Sequence, residues 1–551
     1  MALVLAACGG GDDDDDTSST DETDTQGITI AAEQELTNFN QNTSADNLLW
    51  GAMIVRLVWP QMYFQTPDFK LEPGFMADGP AEVVTEDPFT VRWKINPDAV
   101  WSDGTPVSSD DLEYYWQSCN GAVDEGEPVD PEDPEATAVD CVSTDGYDQV
   151  TQFTKVDEKT AEAVFSGPIA EFDSLFSNPI PPAHIARAEG EDAWGTAFID
   201  SPIVSAGPYT LGEYVKGESL TLERNEEFYG EPANLETITF RFIEEPGQMV
   251  DALRNGEVDL IYPQPQTDTI PQVEEIPDVA STISFGPTWE HLTFNFANTA
   301  LADAAVRQAI LLGTNRVELV DILMKPFSEE ATVLNNRIFM NGNDGYQNNA
   351  GDVEEYDIDA ANAVLDDAGW VEGSDGIREK DGERLALRII TTGGNTLRED
   401  TEELLQSQYA ELGIELTIDN RPGSDAFDVI FGAEETAADW DIALFAWVGT
   451  VTPAISSAPV YGTGQGNNPG GYTNPEVDTV FAEAIAELDQ TRRFELLNEA
   501  DAMMWAPTEL PDIPLYQKPT HLAYLDKYAN IVDNTTSEGF TWNAEQWEIV
   551  E

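Results

Sequence analysis

Residues 385–418 read LALRIITTGGNTLREDTEELLQSQYAELGIELTI, a stretch in which a long amphipathic segment separates two apolar runs. The runs Leu385–Thr391 and Ile414–Ile418 have the length and the branched aliphatic content of buried strands. Between them, Glu399–Leu412 has the composition of a helix. A strand, a helix and a second strand in this order usually give parallel pairing of the two strands. This stretch therefore indicates an α/β fold.

Strand and helix patterns alternate over the rest of the chain after Gly27, which also favours α/β lobes. In residues 303–324, apolar side chains recur at spacings near 3.6 and predict one helix that faces the core. These core positions are Val306, Ile310, Val317, Val320 and Leu323. The other predicted helices run from Ser108 or Ser109 to Trp116 and over Met249–Gly256. The other predicted strands are Gly27–Ala32, Phe89–Ile95, Leu220–Arg224, Ile238–Phe242 and Val258–Tyr262.

The charge of the chain excludes several classes of partner. The 551 residues include 105 Asp plus Glu against 25 Lys plus Arg, which gives a net charge of −80. Binding to nucleic acid or to an anionic membrane surface needs clustered basic residues, and the sequence has no basic block. The hydrophobic content of 41% is nevertheless enough to build a core. We expect a folded protein with two to four lobes and no nucleic-acid partner.

The N-terminal residues resemble a lipoprotein processing signal. Residues 1–8 read MALVLAAC, and the ending Leu-Ala-Ala-Cys resembles the bacterial lipobox. This predicts that Cys8 carries a lipid anchor at the outer face of the cell membrane or in the periplasm. Only seven residues precede Cys8 and none is basic, so we expect a shortened signal. Residues 9–26 are Gly, Asp, Ser and Thr rich, which predicts a solvated acidic tether.

The two remaining cysteines, Cys119 and Cys141, close a loop of 23 residues counted with both ends. In an exported protein, a pair at this distance usually forms a disulfide. Metal binding is the alternative. It is disfavoured because the cysteines lack CxxC spacing and the three histidines, His184, His291 and His521, are dispersed. We expect a disulfide, no metal site and no cofactor.

Six segments, taken in order, resemble the extracellular solute-binding proteins of family five, which include the dipeptide- and oligopeptide-binding proteins of ABC importers. The first, Phe89–Tyr115, includes WSDGTP at Trp101–Pro106. The resemblance covers nearly the whole chain after Gly27. The other five segments are GPYTL at Gly207–Leu211, LERN at Leu222–Asn225 with FYG at Phe228–Gly230, GEVD at Gly256–Asp259, LTFN at Leu292–Asn295 and VRQA at Val306–Ala309.

This resemblance implies a two-lobed periplasmic-binding-protein-like fold, type II, cluster C, with an extra subdomain. The first lobe would comprise residues 27–60, 205–290 and 505–551, the accessory subdomain 61–204, and the second lobe 291–504. The implied function is to bind a solute between the lobes and to deliver it to ABC permease and ATPase subunits. Peptides are the expected ligands of this monomeric receptor. A non-peptide solute, such as an oligosaccharide, haem or a metal chelate, is the alternative.

One position departs from the family pattern in an informative way. In the peptide binders, an Asp within a segment like GW.aDY.dP pairs with the α-amino group of the ligand, and here Thr450 stands at that position. A hydroxyl cannot neutralise an ammonium group, and a buried unpaired charge is costly. We therefore expect either that Glu33 or Glu35 replaces the Asp, or that the ligand has no free amine. Trp289 and Trp447 are the aromatic candidates for the cleft.

A secreted hydrolase is the rival class of protein. The sequence contains no GxSxG or HExxH motif, although so acidic a chain has carboxylates enough for the pair that a glycosidase needs. A surface adhesion module would be expected to show repeats or a low-complexity stalk, and neither occurs beyond the tether. We therefore expect a binding protein and not an enzyme.

The charge predicts that salt stabilises the protein. Repulsion among so many carboxylates destabilises the compact state, and cations screen that repulsion. We expect the unfolding temperature, measured by calorimetry, to rise as NaCl is increased from 0.1 M to 2 M, as in a protein that works in a salty environment. A temperature that does not rise would indicate an ordinary acidic secreted protein.

Overall fold

The computed structural model describes residues 26–43, 46–120, 141–190, 193–351, 355–432 and 439–550. Cys8 and most of the predicted tether lie outside these ranges. The strands of the described residues, in chain order, are β1 (Gly27–Ala32), β2 (Tyr63–Gln65), β3 (Leu71–Pro73), β4 (Glu82–Glu86), β5 (Phe89–Lys94), β6 (Val150–Asp157), β7 (Thr160–Phe165), β8 (Tyr209–Val215), β9 (Ser219–Arg224), β10 (Thr237–Phe242), β11 (Leu260–Ile261), β12 (Val279–Phe294), β13 (Val371–Glu372), β14 (Arg378–Lys380), β15 (Glu383–Arg384), β16 (Ala386–Ile390), β17 (Glu415–Ile418), β18 (Ile442–Val448), β19 (Asp512–Leu525), β20 (Tyr528–Ala529) and β21 (Glu548–Ile549).

Helices alternate with these strands along much of the chain, as is typical of an α/β fold. The α-helices of the described residues are α1 (Leu49–Val55), α2 (Ser109–Cys119), α3 (Ala183–Glu189), α4 (Pro246–Arg254), α5 (Thr269–Glu274), α6 (Thr299–Ala302), α7 (Ala304–Gly313), α8 (Arg316–Leu319), α9 (Ile358–Asp367), α10 (Thr396–Ala410), α11 (Gly423–Ile430), α12 (Pro453–Tyr461), α13 (Pro475–Ala486) and α14 (Gln490–Met504). Val320–Met324 adds one π-helical turn after α8.

One ten-stranded sheet runs through the molecule in the order β17-β16-β18-β12-β19-β11-β1-β10-β9-β8. Its outer strands β16 and β17 pair in parallel, as the sequence predicts, with Leu387 opposite Leu416. The predicted opening strand is β1, which lies in parallel between β10 and β11. The mixed α/β fold class is confirmed.

Two long antiparallel strands, β12 and β19, hold the two ends of this sheet together. They pair from Val279 opposite Leu525 to Thr293 opposite Asp512. One end of the pair adjoins β11, and the other end adjoins β18. A bulge interrupts the pairing between Phe285 and Trp289. Since each strand contributes to both ends of the sheet, β12 and β19 are called the crossing strands below.

A separate four-stranded sheet, β4-β5-β7-β6, lies in the segment predicted as the accessory subdomain. Helix α2 packs beside it and begins with a capping box, in which the Ser108 side chain and Asp111 satisfy each other's backbone N–H groups. A disulfide joins Cys119 to Cys141. The buried residues of this sheet, such as Trp93, belong to the same core as those of β1 and β10. The accessory sheet therefore shares one core with the first lobe.

The second core lies between β16, β17, β18, α7 and α10. Beside it, the guanidinium of Arg337 is fully buried between Asp501 and Asp512, and Tyr461 donates a hydrogen bond of 3.0 Å to Asp512. Burial tends to raise the pKa of both carboxyl groups, whereas the Arg337 charge opposes that rise. Breaking such a buried network by removing one partner costs about 3 to 5 kcal/mol.

The prediction of one continuous helix over 303–324 is wrong. Helix α7 ends at Gly313, where the Thr314 hydroxyl donates to the Ile310 carbonyl, and the Asn315 side chain caps a new start at α8. The break changes the phase of the helix, so the side chain of Val317 is 58% exposed instead of facing the core.

A buried carboxylate ties the accessory segment to the second lobe. Glu171 accepts hydrogen bonds from the backbone N–H groups of Ala454 and Ile455, at the N-terminus of α12, at 3.1 and 2.9 Å. The Nε atom of Arg493 lies 3.7 Å from Oε1 of Glu171. Burial raises the pKa of Glu171 to about 7 and outweighs these stabilising partners.

Stability should therefore rise as the pH falls from 8 to 5. The folded-state pKa of Glu171 exceeds its ordinary value of 4.5, so proton binding favours the folded state over this range. A shift from 4.5 to about 7 is worth roughly 3 kcal/mol of unfolding free energy over the whole titration. We expect the free energy of unfolding of Glu171→Gln, measured in urea, to lack this pH dependence. The variant Glu72→Gln, at an exposed site, should keep it. Parallel pH profiles for wild type and Glu171→Gln would contradict the assignment.

Candidate ligand-binding site

A cavity of about 1030 Å³ lies between the two lobes beside the crossing strands. This volume is at the upper end of the range of small-molecule sites, about 300 to 1,000 Å³. Glu33, 244–246 and 264–268, from segments predicted as the first lobe, form one side of the wall. Residues 393–397, which lead into α10, and side chains of the π-helical turn form the other side, from the segment predicted as the second lobe. Lys518 and Pro519 of β19 complete the wall.

The cavity wall is strongly acidic. Of the described residues that line it, Lys518 is the only basic one. The carboxylates that line it are Glu33, Glu244, Glu245, Asp268, Asp400 and Glu403. Among the residues that the structure describes, no group of three or more His, Cys, Asp or Glu is placed to hold a metal ion. The wall therefore favours a ligand that carries positive charge.

Glu33 directly follows the last residue of β1, and its side chain lies in the cavity wall. Its carboxylate accepts a hydrogen bond of 3.2 Å from the Gln264 side chain. Burial raises the pKa of Glu33, and this effect exceeds the opposing influence of Gln264, Trp50 and Lys518. A partly desolvated carboxylate of this kind gains more from an incoming ammonium group than an exposed one does.

A buried ionic cluster supports the floor of the cavity. Glu290 on β12 is fully buried, and both of its oxygens accept from the Arg398 Nε, at 3.0 and 3.2 Å. The Lys518 Nζ lies 3.4 Å from the same carboxylate. Burial alone would raise the pKa of Glu290, but Lys518 and Arg398 together lower it, so Glu290 is ionised. Two cations therefore share one buried anion.

Two of the predicted ligand residues have other roles in the structure. The Glu35 carboxylate accepts from the Tyr214 hydroxyl at 2.7 Å and from the backbone N–H of Gly217, so it fixes the turn between β8 and β9. The Thr450 hydroxyl donates to Ser456 at 2.9 Å in the turn that leads into α12. Neither side chain lines the cavity. Of the two predicted acidic candidates, the structure places only Glu33 in the cavity wall.

The two predicted tryptophans, Trp289 and Trp447, lie on the face of the sheet opposite to Glu290. Trp289 is opposite Trp447 in the pairing of β12 and β18, and it is 2% exposed. Trp447 is half-buried and stacks on the His291 ring at a centroid distance of 6.1 Å. Because side chains alternate along a strand, Glu290, and not Trp289, faces Arg398 and the cavity floor. Neither tryptophan lines the cavity.

Sequence reasoning missed Lys518, Arg398 and Glu290. Their positions are far apart in the chain, and only the crossing strands and the start of α10 bring them together. The sequence offers one signal for Lys518. Lysine and arginine are scarce in this chain, so a lysine within a mostly uncharged strand is a candidate for a specific role.

A two-lobed α/β fold with a large cavity beside its crossing strands is typical of solute-binding proteins. The family model for bacterial extracellular solute-binding proteins, family 5, matches residues 71–469, and the chain belongs to this family. This confirms the resemblance of the sequence. The protein is a substrate-binding component of an ABC importer, not an enzyme. No helix in the described ranges combines the length and the hydropathy needed to cross a membrane.

The chain is similar to several characterised proteins. It is 29% identical over 501 residues to the oligopeptide-binding protein OppA of Mycobacterium tuberculosis, covering 90% of this chain and 80% of the relative. It is 21% identical to the dipeptide-binding protein DppE of Bacillus subtilis, covering 94% and 92%. Among solved structures, the periplasmic EDTA-binding protein EppA has a TM-score of 0.86 at 25% identity, covering 95% and 96%. The oligopeptide-binding protein AppA of Bacillus subtilis, solved with a nonapeptide, has a TM-score of 0.77 at 18% identity, covering 96% and 100%.

Proposed function

We propose that this protein binds peptides in the cavity between its lobes and delivers them to the permease and ATPase subunits of an ABC importer. The observation that carries the proposal is the position of Glu33, a partly desolvated carboxylate at the end of β1 in a wall with one basic residue. The α-amino group of a peptide supplies the positive charge that such a wall favours. The similarity to OppA supports the same ligand class.

In this proposal, Glu33 pairs with the α-amino group of the ligand, as an Asp does in the peptide binders that the sequence resembles. Thr450 cannot neutralise an ammonium group, and its hydroxyl is engaged with Ser456. Glu33 belongs to the segment predicted as the first lobe, whereas Thr450 belongs to the segment predicted as the second. An amine bound to Glu33 would therefore contact the first lobe. Gln264, Trp50 and Lys518 offset only part of the cost of burying the Glu33 carboxylate, and a bound ammonium would compensate the remainder.

A metal chelate is the second candidate ligand, because EppA, an EDTA-binding protein, has the same fold at 25% identity. The charge of the cavity opposes this candidate. An anionic chelate would meet six lining carboxylates, including Asp400 and Glu403 of α10, and Coulomb repulsion would weaken its binding.

Mass spectrometry of the solute that co-purifies with residues 27–551, released by denaturation, tests the ligand class. We expect a series of short peptides. For the most abundant one, made synthetically, Glu33→Gln should weaken binding about 10- to 100-fold in calorimetric titration, because a charge-assisted hydrogen bond is lost. Glu35→Gln is the matched control, since Glu35 lies outside the cavity, and should bind as wild type does. A single non-peptide species in the released material would reject the peptide proposal.

We also propose that Cys8 anchors the protein as a monomeric lipoprotein on the outer face of the membrane, with residues 9–26 as the tether. Cys8 and residues 9–25 lie outside the described residues, and the lipobox-like sequence Leu5–Cys8 supports this part of the proposal.

The anchor predicts a modified cysteine. The intact mass of the protein extracted from membranes should include a diacylglyceryl group on Cys8, and Cys8→Ser should move the protein to the soluble fraction. A Cys8→Ser variant that stays in the membrane fraction would reject the anchor. Equal yield of the two proteins by immunoblot of whole cells is the control for expression.

A further inference from the structure

Glu402 is a fully buried carboxyl group that the candidate binding site does not use. It lies on α10 and is 0% exposed. Its Oε2 atom accepts a hydrogen bond of 2.8 Å from Nδ2 of Asn420, in the segment after β17. The other oxygen of each pair, Oε1 of Glu402 and Oδ1 of Asn420, is also buried and has no hydrogen-bond partner within the described ranges. Two buried acceptors without a donor therefore belong to side chains that are already in contact.

The one basic residue of α10, Arg398, does not neutralise Glu402. It lies four positions earlier, the spacing at which opposite charges on a helix commonly pair. Its Nε atom donates instead to both oxygens of Glu290, at 3.0 and 3.2 Å, and its Nη1 atom donates to the Thr392 hydroxyl at 2.8 Å. No salt bridge between described residues includes Glu402. An ionised carboxylate buried without a paired cation is costly.

One proton would satisfy both of the unpaired acceptors. A protonated carboxyl group has a hydroxyl donor as well as an acceptor oxygen. With the proton on Oε1, Glu402 can donate to Oδ1 of Asn420 while its Oε2 still accepts from Nδ2, which gives an acid–amide pair with two hydrogen bonds. Burial raises the pKa of Glu402 to about 7, Glu399 contributes to the rise, and Asn420 and Arg398 oppose it. The direction of the shift agrees with the geometry.

The other charged and polar groups near Glu402 have contacts of their own. Glu399 accepts from the backbone N–H of Gly394 at 2.9 Å, and Asp400 and Glu403 line the cavity. The remaining pairs are Arg421 with Asp419 at 2.8 Å, beside Asn420, the hydroxyls of Thr401 and Tyr516 at 2.8 Å, and Lys518 with Glu290 at 3.4 Å. Among the described cations, Arg398 is the one that stabilises the charged form of Glu402.

From these contacts we propose that Glu402 holds a proton against its amide partner at neutral pH, and that loss of the proton makes Glu402 compete with Glu290 for Arg398. This inference goes beyond the proposed peptide function and does not rest on it. Arg398 shares Glu290 with Lys518, whose charge also acts on Glu33 in the cavity wall. A displaced Arg398 would therefore change the ion pairs of the cavity floor. Glu402 does not line the cavity, so it is a positioning residue that makes this floor sensitive to pH.

Urea unfolding of wild type and Glu402→Gln tests for the proton. The Gln amide can form both hydrogen bonds of the protonated acid, but it does not titrate. Because the folded-state pKa of Glu402 exceeds its ordinary value of 4.5, this group makes wild type lose stability as the pH rises from 5 to 8. We expect the unfolding constant of wild type, divided by that of Glu402→Gln, to rise at least about tenfold over this range. The ratio cancels titrations that both proteins share, such as that of Glu171.

Glu411→Gln is the matched control, because Glu411 is an exposed carboxylate directly after α10, and its ratio to wild type should stay within about twofold. Infrared difference spectra between wild type and Glu402→Gln should show the C=O band of a protonated carboxyl group at pH 6 and lose it with a midpoint near pH 7. A ratio that stays constant or falls from pH 5 to 8, or a missing band, would overturn the proposal. If Glu402→Gln does not fold, Glu402→Met takes its place in both measurements.

A double-mutant cycle tests the competition for Arg398. We expect Arg398→Gln to change the unfolding constant equally in wild type and in Glu402→Gln at pH 5.5, and at least about threefold more in wild type at pH 8.5. Equal effects at both pH values would overturn the competition, while the proton-binding site stands. If Arg398→Gln does not fold, Arg398→Met replaces it.

Discussion

The antiparallel pairing of β12 with β19 is the constraint on which the rest of the structure depends. It extends from Val279 opposite Leu525 to Thr293 opposite Asp512, so that each strand contributes to both ends of the sheet. The pairing is loosest at the bulge near Gly286, where the Pro287 carbonyl accepts from Gly449 and the Gly286 carbonyl accepts from Gln517. At Gly286, a Cβ atom would come within 2.5 Å of Thr535, so the close approach requires glycine. The cavity lies beside this pair, and Glu290 and Lys518 are side chains of its two strands.

A protein with a net charge of −80 has few cations, and the structure places several of them where their removal would be costly. Arg337 is completely buried between two aspartates, and Arg398 is nearly buried beside Glu290. Their carboxylate partners Asp501, Asp512 and Glu290 are buried with them, so these groups leave the net charge of the surface nearly unchanged. Lys518 differs from them because its side chain also reaches the cavity. The same scarcity makes a single lysine in an acidic cavity a strong local feature.

The candidate site was predicted only where local order decides the position of a side chain. Glu33 is a candidate because it follows the opening strand directly, and the structure places it in the cavity wall. The same position after β1 predicts this role for Glu35, but the Glu35 carboxylate instead accepts hydrogen bonds from the β8–β9 turn. The ring of Trp289 and its place before the segment Leu292–Asn295 predict a position in the cleft, but its side chain does not line the cavity. Its neighbour Glu290 faces the cavity floor, because the register with β19 decides which face each residue takes.

The sequence by itself determined the α/β class, the family, and most strands and helices, because hydrophobic period, capping residues and short motifs are local properties of the chain. It failed at residues 303–324, where the Thr314 hydroxyl and the Asn315 cap end one helix and begin another. Only the tertiary structure decided that residues 33, 244–246, 264–268, 393–404 and 518 form one cavity. The physical reason is that pairing register and lobe packing set these contacts between segments hundreds of residues apart. Charges such as Glu290, Arg398 and Lys518 acquire a joint role only when that register brings them within hydrogen-bonding range.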